Sequence, residues 1–251
     1  MKHLDLTLPS PAENLACDEA LLDACEENGG EEIMRLWKSL ETFAVVGYAN
    51  KIAVEVNVEN CRAKQIPIFR RCSGGGTVLQ GAGCLNYALI LQIAENSPTA
   101  SISSANQFIM ERNRAAIEAL FKSEIGNRKS EIIISGHTDL TLNAQPSSLN
   151  KFSGNSQRRR KNFLLFHGTF LLNFDLALVS EFLRMPSKQP DYRQSRGHGE
   201  FLTNLNLPAD KVKAALRKSW NAAEELKNPP LKEISKLAHE KYSTHEWNFK
   251  F

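Results

Sequence analysis

Arg70-Arg71-Cys72-Ser73-Gly74-Gly75-Gly76-Thr77-Val78 sets two arginines ahead of three consecutive glycines, and Lys151-Phe152-Ser153-Gly154-Asn155 adds a lysine before a small Ser-Gly pair. Glycine permits positive φ and lets main-chain N–H groups approach an anion without a Cβ in the way. Arginine brings a rigid fork of donors matched to carboxylate or phosphate. Together the two stretches read as an anion pocket, with a phosphate or an activated acyl group as its natural guest. The triple glycine is not a GxxxxGK[ST] loop, because the lysine arrives some 75 residues later, and GxGxxG spacing is absent. A plain tight turn would need neither the arginines nor Ser73.

Working outward, Ser10-Pro11-Ala12-Glu13 carries a cap, a first-turn proline and a capping-box glutamate, so a helix is expected to run to about Glu27 and stop at Gly29-Gly30. Strands are expected at Ile33–Trp37, Thr42–Gly47, Ile66–Arg70, Leu85–Gln92, Ile132–Ile134, Thr138–Leu142 and Leu164–Leu172. Helices are expected at Phe108–Phe121, Asp175–Leu183, Ala209–Leu226 and Leu231–Tyr242, and the turn-rich 144–150 joins a hairpin leading into Lys151. Strands arriving as neighbouring hairpins favour an α+β fold with a mixed, mostly antiparallel sheet flanked by helices. No repeat or interdomain linker stands out, so residues 1–251 read as one catalytic domain.

Composition narrows the class. The chain has 251 residues, 42% hydrophobic and 24% charged, enough for a sizeable core, and a net charge of only +3. That charge does not call for nucleic acid, and no aromatic stacking platform accompanies Arg158-Arg159-Arg160-Lys161, which reads as a solvated loop. Five cysteines, an odd number without CxxC, read as reduced thiols rather than disulfides or a zinc site. No apolar h-region follows Met1-Lys2-His3-Leu4-Asp5, and no window reaches the roughly 18 apolar residues of a membrane span. The expectation is a soluble cytoplasmic protein.

Individual residues leave choices open. Asp18 shares a helix face with Leu15, Leu22 and Cys25, and a buried carboxylate needs partners; tying down a neighbouring backbone loop is favoured over ligand contact. Gly168, in the strand His167-Gly168-Thr169, marks a bulge or a close approach of backbone to ligand. His167 reads as structural more readily than as a general base, and no Ser-His-Asp pattern can be assigned from spacing.

In this order and spacing the stretches resemble the lipoate–protein ligase family, related to biotin–protein ligases. The residues that carry it are Asn14-Leu15-Ala16-Cys17-Asp18-Glu19, Arg35-Leu36-Trp37, the glycine stretch, Leu85-Asn86-Tyr87, Thr138-Asp139-Leu140, Lys151-Phe152-Ser153-Gly154-Asn155 and His167-Gly168-Thr169, with the late Tyr192-Arg193-Gln194-Ser195-Arg196-Gly197-His198. The resemblance implies a fold like the catalytic domain of class II aminoacyl-tRNA synthetases. It implies ATP-dependent activation of lipoate or octanoate to an acyl-adenylate, then transfer to one lysine on the lipoyl domain of a 2-oxoacid dehydrogenase E2 component or on glycine-cleavage H protein. Arg71, Ser73 and Gly74, Gly75 and Gly76 would hold the mixed anhydride, with Thr77, Val78 and Leu79 continuing the wall. Asn86, Ser153, Gly154, His167, Gly168 and Thr169 would complete the lipoate and ATP site. Lys151 would contact acyl carbonyl and adenylate phosphate as the catalytic cation. Asp139 is the candidate for the nucleotide or its Mg2+, and the acyl chain is expected along Trp37 and Val46.

Three departures accompany the resemblance. Gln80-Gly81 stand where the family usually has a histidine, so no acid–base role is available there. The chain is expected to lack the C-terminal accessory domain of full-size bacterial ligases, which leaves room for a separate accessory subunit. In sister octanoyltransferases a thioester cysteine lies before the Asp-Leu strand, but here the loop reads Ser135-Gly136-His137-Thr138; Cys72 and Cys84 are expected to flank the pocket. An ATP-independent lipoyl or octanoyl transferase and a non-catalytic family member are the alternatives.

Overall fold

The first helix begins as its residues dictate. Ser10 Oγ accepts from the Glu13 N–H at 3.2 Å while the Glu13 carboxylate accepts from the Ser10 N–H at 3.0 Å. It ends at Gly29, whose φ of 61° is left-handed. The computed structural model describes residues 1–39, 41–125, 130–145 and 148–251. In chain order the elements are β1 (Lys2–Asp5), α1 (Pro11–Asn28), β2 (Ile33–Lys38), β3 (Phe43–Val46), α2 (Ile52–Glu55), α3 (Val58–Ala63), β4 (Ile68–Arg70), β5 (Val78–Gln80) and β6 (Cys84–Gln92). Then come α4 (Ile102–Ile125), β7 (Glu131–Ser135), β8 (Asp139–Gln145), β9 (Ser148–Arg159), β10 (Phe163–Leu171), α5 (Ala177–Phe182), α6 (His198–Phe201), α7 (Ala209–Ser219), β11 (Glu224–Glu225), α8 (Leu231–Leu237) and α9 (His245–Asn248). Among the described residues, no helix is long and apolar enough to cross a membrane.

The larger sheet runs β11-β1-β2-β6-β10-β9-β8-β7 and is antiparallel from β2 to β7, with parallel pairing only where β1 meets β11 and β2. A three-stranded sheet, β4-β3-β5, stands beside it. This is the α+β, mostly antiparallel architecture the hairpin spacing predicted. Alternation divides the large sheet into two faces. Met34, Leu36, Leu89, Phe166 and Phe170 pack against α4 and α7, whereas Ile33, Trp37, Ile90 and Leu165 pack with α1 and the residues after α8. The second face also carries Arg35, Asn86, His167 and Thr169, and it becomes the floor of the site.

Several boundaries differ from the sequence reading. The helix expected at Ala209–Leu226 stops at Ser219, because Glu224–Glu225 leave it to pair with β1. Of the turn expected within 144–150, residues 146–147 lie outside the described set. Lys151 does not end a hairpin but sits inside the twelve-residue β9, a strand the reading missed because its residues are mostly polar. In the run Arg158–Lys161 only Lys161 is an exposed bend residue, whereas Arg158 donates to Cys72 O at 2.8 Å, Arg159 to Thr99 O at 2.8 Å, and Arg160 pairs with Asp23 at 2.6 Å.

Candidate active site

The paired arginines part company. At the end of β4, side chains alternate between the two sides of the strand, and Arg70 turns away from the glycines into complete burial. Its guanidinium donates to Gly47 O, Tyr48 O and Asn50 O at 2.8–3.0 Å and to Asn248 O at 3.0 Å. Arg71 turns to the loop and donates to Gly76 O at 2.7 Å, to Gly74 O and to Ser73 Oγ at 3.1 Å. Tyr48 N–H takes Ser73 O at 2.8 Å, and Asn50 Nδ2 takes Gly75 O at 3.1 Å. Four consecutive carbonyls are thus occupied, while the N–H groups of Gly74, Gly75 and Gly76 have no acceptor among the described residues. Neither arginine offers its fork outward; Arg71 holds the carbonyls of a loop whose amides remain for an anion. Gly75 alone of the three needs glycine's conformational freedom, with φ of 84°.

Beside this loop lies a cavity of about 810 Å³. Its wall includes Arg71, Gly75, Gly76, Thr77, Val78, Leu79, Asn86, Asp139, Lys151, Ser153, Gly154, His167, Gly168 and Thr169 from the expected site. Ser73 and Gly74 are the exceptions: Ser73 is 1% exposed and lies behind the wall. Of the two residues expected along an acyl chain, Trp37 lines the cavity, but Val46 is buried in the core around the small sheet and its neighbour Val45 faces in instead, by the two-residue period of β3.

Lys151 is brought into the cavity by a bulge. Thr141 pairs with Lys151 and Leu140 with Ser153, so Phe152 is an extra residue that re-aims the strand. The ammonium reaches Asp139 Oδ1 at 2.8 Å, and the other oxygen of Asp139 accepts from Tyr192 Oη at 2.6 Å. Lys151 passes directly over Gly154, where a Cβ would come within 2.8 Å of both Nζ and Cε. Here glycine clears a path for a side chain rather than exposing a donor.

From Ser73 behind the wall through His167 and Asp18 in it runs a chain that spacing could not reveal. Ser73 Oγ lies 2.6 Å from His167 Nε2, His167 Nδ1 lies 2.9 Å from Asp18 Oδ2, and Asp18 Oδ1 accepts from Arg35 at 2.7 Å. Asp18 therefore binds side chains, not a backbone loop. Burial by itself would raise its pKa, but Arg35 beside it and the His167 hydrogen bond more than offset this and hold the carboxyl below the ordinary 3.8. Both ring nitrogens of His167 are occupied, so it ties the glycine loop to α1 and offers no free nitrogen to a substrate. Nearby, Gln80 Nε2 donates to Thr169 Oγ1, which donates to Asn86 Oδ1, each at 2.6 Å.

Gly168 is no bulge, since the pairing of β10 with β6 and β9 runs unbroken through it. Its close neighbour is Asn155, whose Oδ1 would lie 1.6 Å from an added Cβ. Asn155 accepts from Tyr87 Oη at 2.6 Å, donates to Thr138 O at 2.6 Å and so steadies the turn that carries Asp139. Gly168→Ala should expel this side chain, costing on the order of 1–3 kcal/mol of stability and reducing activity with it; unchanged thermal unfolding and rate would refute the packing argument.

A family model for the lipoyl protein ligase A/B catalytic domain matches residues 10–220. The chain belongs to this family. An octanoyltransferase LipM of Halalkalibacterium halodurans is 26% identical over 96% of the chain and 95% of its own length. The "Probable lipoate-protein ligase A" of Mycoplasma pneumoniae is 27% identical over 99% of the chain and 72% of its own length. Among solved structures, the bipartite lipoate protein ligase of Thermoplasma acidophilum superposes with a TM-score of 0.79 at 23% identity, covering 99% of this chain and 95% of that one. A lipoate-protein ligase A bound with ATP gives 0.72 at 22% identity, covering 99% and 98%. These structures share the fold of lipoate-protein ligases with this chain.

All five cysteines are buried, and Cys72 and Cys84, expected to flank the pocket, are absent from its wall. Burial pushes both thiols up to about 12, far from the thiolate a thioester needs. The folded protein should resist iodoacetamide at pH 7.5, and Cys72→Ala and Cys84→Ala should each keep their transfer rate within about twofold; a large loss in either would restore a thiol mechanism.

Proposed function

We propose that this chain is an ATP-dependent lipoate–protein ligase that activates lipoate or octanoate as an acyl-adenylate and transfers it to a lysine of a lipoyl domain. The supporting observation is one cavity in which an apolar wall (Leu15, Trp37, Val45, Leu79) adjoins the glycine-loop amides and Lys151, with every thiol outside it. The acid's carboxylate attacks the α-phosphate of ATP and pyrophosphate leaves. The carrier's ε-amine then attacks the acyl carbon, the acyl–phosphate oxygen bond breaks, AMP leaves and the amine gives up a proton. Lys151 meets the negative charge that grows on the phosphate and the acyl oxygen, where a preorganised cation is worth most. The amides of Gly75 and Gly76 supply donors to the same anion.

ATP brings magnesium, which usually binds through phosphates, waters and one or two carboxylates. Asp139 is the carboxylate beside Lys151, yet both its oxygens are engaged, and no cluster of three metal-ligating side chains occurs among the described residues. As arranged, the described residues do not form a magnesium site. The natural acceptor is a lipoyl domain, as in the archaeal neighbour described with its E2 lipoyl domain. Glycine-cleavage H protein and a separate accessory subunit are further candidates.

A second reading, ATP-independent transfer of an octanoyl group from one carrier to another, is favoured by the near full-length similarity to octanoyltransferases. Intact-mass spectrometry of a lipoyl domain separates the two. A gain of one lipoyl or octanoyl group with free acid, ATP and magnesium, lost without ATP, supports the ligase. A gain only from an acyl-carrier thioester supports the transferase, and no gain from either donor overturns both.

A further inference from the structure

Tyr192 opens the stretch Tyr192–His198 and reaches the cavity through Asp139. Its phenol donates to Asp139 Oδ2 at 2.6 Å, while Lys151 holds Oδ1 at 2.8 Å, so one carboxylate links a neutral donor to the Lys151 ammonium. The Tyr192 ring is wedged between Gly136, where an added Cβ would meet it at 3.4 Å, and Phe201 at a centroid distance of 5.4 Å. The same stretch is stitched to the lysine's own strand. Thr203 N–H takes Lys151 O at 3.0 Å, Arg196 takes Leu149 O at 2.9 Å, and Asn150 Nδ2 takes Glu200 O at 3.1 Å. The segment therefore grips Lys151 twice, through its main chain and through Asp139.

We propose that Tyr192 is a positioning residue for the transfer reaction, one that keeps Asp139 satisfied when Lys151 leaves it for the anion of the substrate. The inference rests on the role assigned to Lys151 above. An ammonium already paired with a carboxylate is of little use to a second anion unless the first partner can release it. Asp139 is mostly buried, its side chain 14% exposed, so a carboxylate abandoned there without a donor is costly. The Tyr192 hydroxyl supplies that donor. It leaves Asp139 with a hydrogen bond throughout and weakens its claim on the cation.

Tyr192→Phe removes only the hydroxyl and keeps the ring packed on Phe201. The variant should fold with an unchanged melting temperature and an unchanged KM for the lipoyl domain, but with kcat lowered about five- to tenfold, as expected for a charge-assisted hydrogen bond. In an Asp139→Asn background, where no carboxylate competes for Lys151, the same substitution should change kcat by less than about twofold. A normal kcat in Tyr192→Phe, or an equal loss in both backgrounds, overturns the proposal. Lys151→Ala run alongside keeps the two failures apart: wild-type turnover there would remove the role of Lys151 itself, whereas a dead Lys151→Ala with a normal Tyr192→Phe removes only the role of the tyrosine.

Discussion

Lys151→Ala should fold normally and lose two to three orders of magnitude in transfer, roughly 10²–10³-fold, the usual cost of deleting a preorganised charge-stabilising group. The stability side follows from the surroundings. The side chain is 24% exposed and its ion pair with Asp139 opens onto the cavity, so its loss should cost less than about 1 kcal/mol. Asp139 retains the Tyr192 hydrogen bond in the variant. The glycine stretch offers no substitute cation, because Arg70 and Arg71 spend their donors on main-chain carbonyls. Lys151→Arg should restore little: a longer planar fork cannot follow the path over Gly154, where the native chain already leaves less room than a methyl group needs. Melting temperature and single-turnover transfer of the two variants decide the matter. A folded Lys151→Ala with near-normal turnover would remove Lys151 from the chemistry.

Arg35→Met should produce the largest loss of stability, about 3–5 kcal/mol, the range expected when one partner of a buried ion pair is removed. Arg35 is fully buried and donates to Asn14 O, Asn14 Oδ1 and Asp18 Oδ1, each at 2.7 Å, and to Leu6 O at 3.1 Å. Without it, Asp18 is a buried carboxylate left with His167, and α1 loses its side-chain bonds to β2. For a protein of this size, 2–4 °C per kcal/mol translates this into a drop of roughly 6–20 °C in melting temperature. The pH dependence has a definite sign. In the native protein Asp18 titrates below its ordinary 3.8, so its contribution is present above that pH and fades as the solution is acidified through it. In Arg35→Met, burial is opposed only by His167, and protonation relieves the stranded charge. The stability gap between the two proteins should therefore narrow from about pH 5 to pH 3. A gap that stays constant with pH would mean that Asp18 does not carry the effect.

Much of the fold was legible because it is written in neighbours. The cap at Ser10, the left-handed stop at Gly29 and the alternation along β6 and β10 depend on residues a few positions apart, which any reader of the chain can see. The failures have a common cause. Strand β9 is polar along most of its length, since it lies between the cavity and long-range partners, and its bulge at Phe152 depends on the register of β8. The early end of α7 is set by β1, more than two hundred residues away in sequence, which pairs with Glu224–Glu225.

The site divides in the same way. Residue types and order alone determined the chemistry on offer: glycines ahead of a hydrophobic strand, a lysine beside Ser-Gly, a histidine in His-Gly-Thr, and the family these compose. Only the tertiary structure decided what each residue does. It sent Arg70 and Arg71 to opposite sides of one strand, put Ser73 behind the wall, and buried every cysteine away from the cavity. It joined Ser73, His167 and Asp18, groups separated by 94 and 149 positions, into a chain that no spacing encodes. The physical reason is that backbone conformation is governed largely by local sterics and hydrogen bonds, whereas a polar side chain is committed by whichever distant partner compensates its burial.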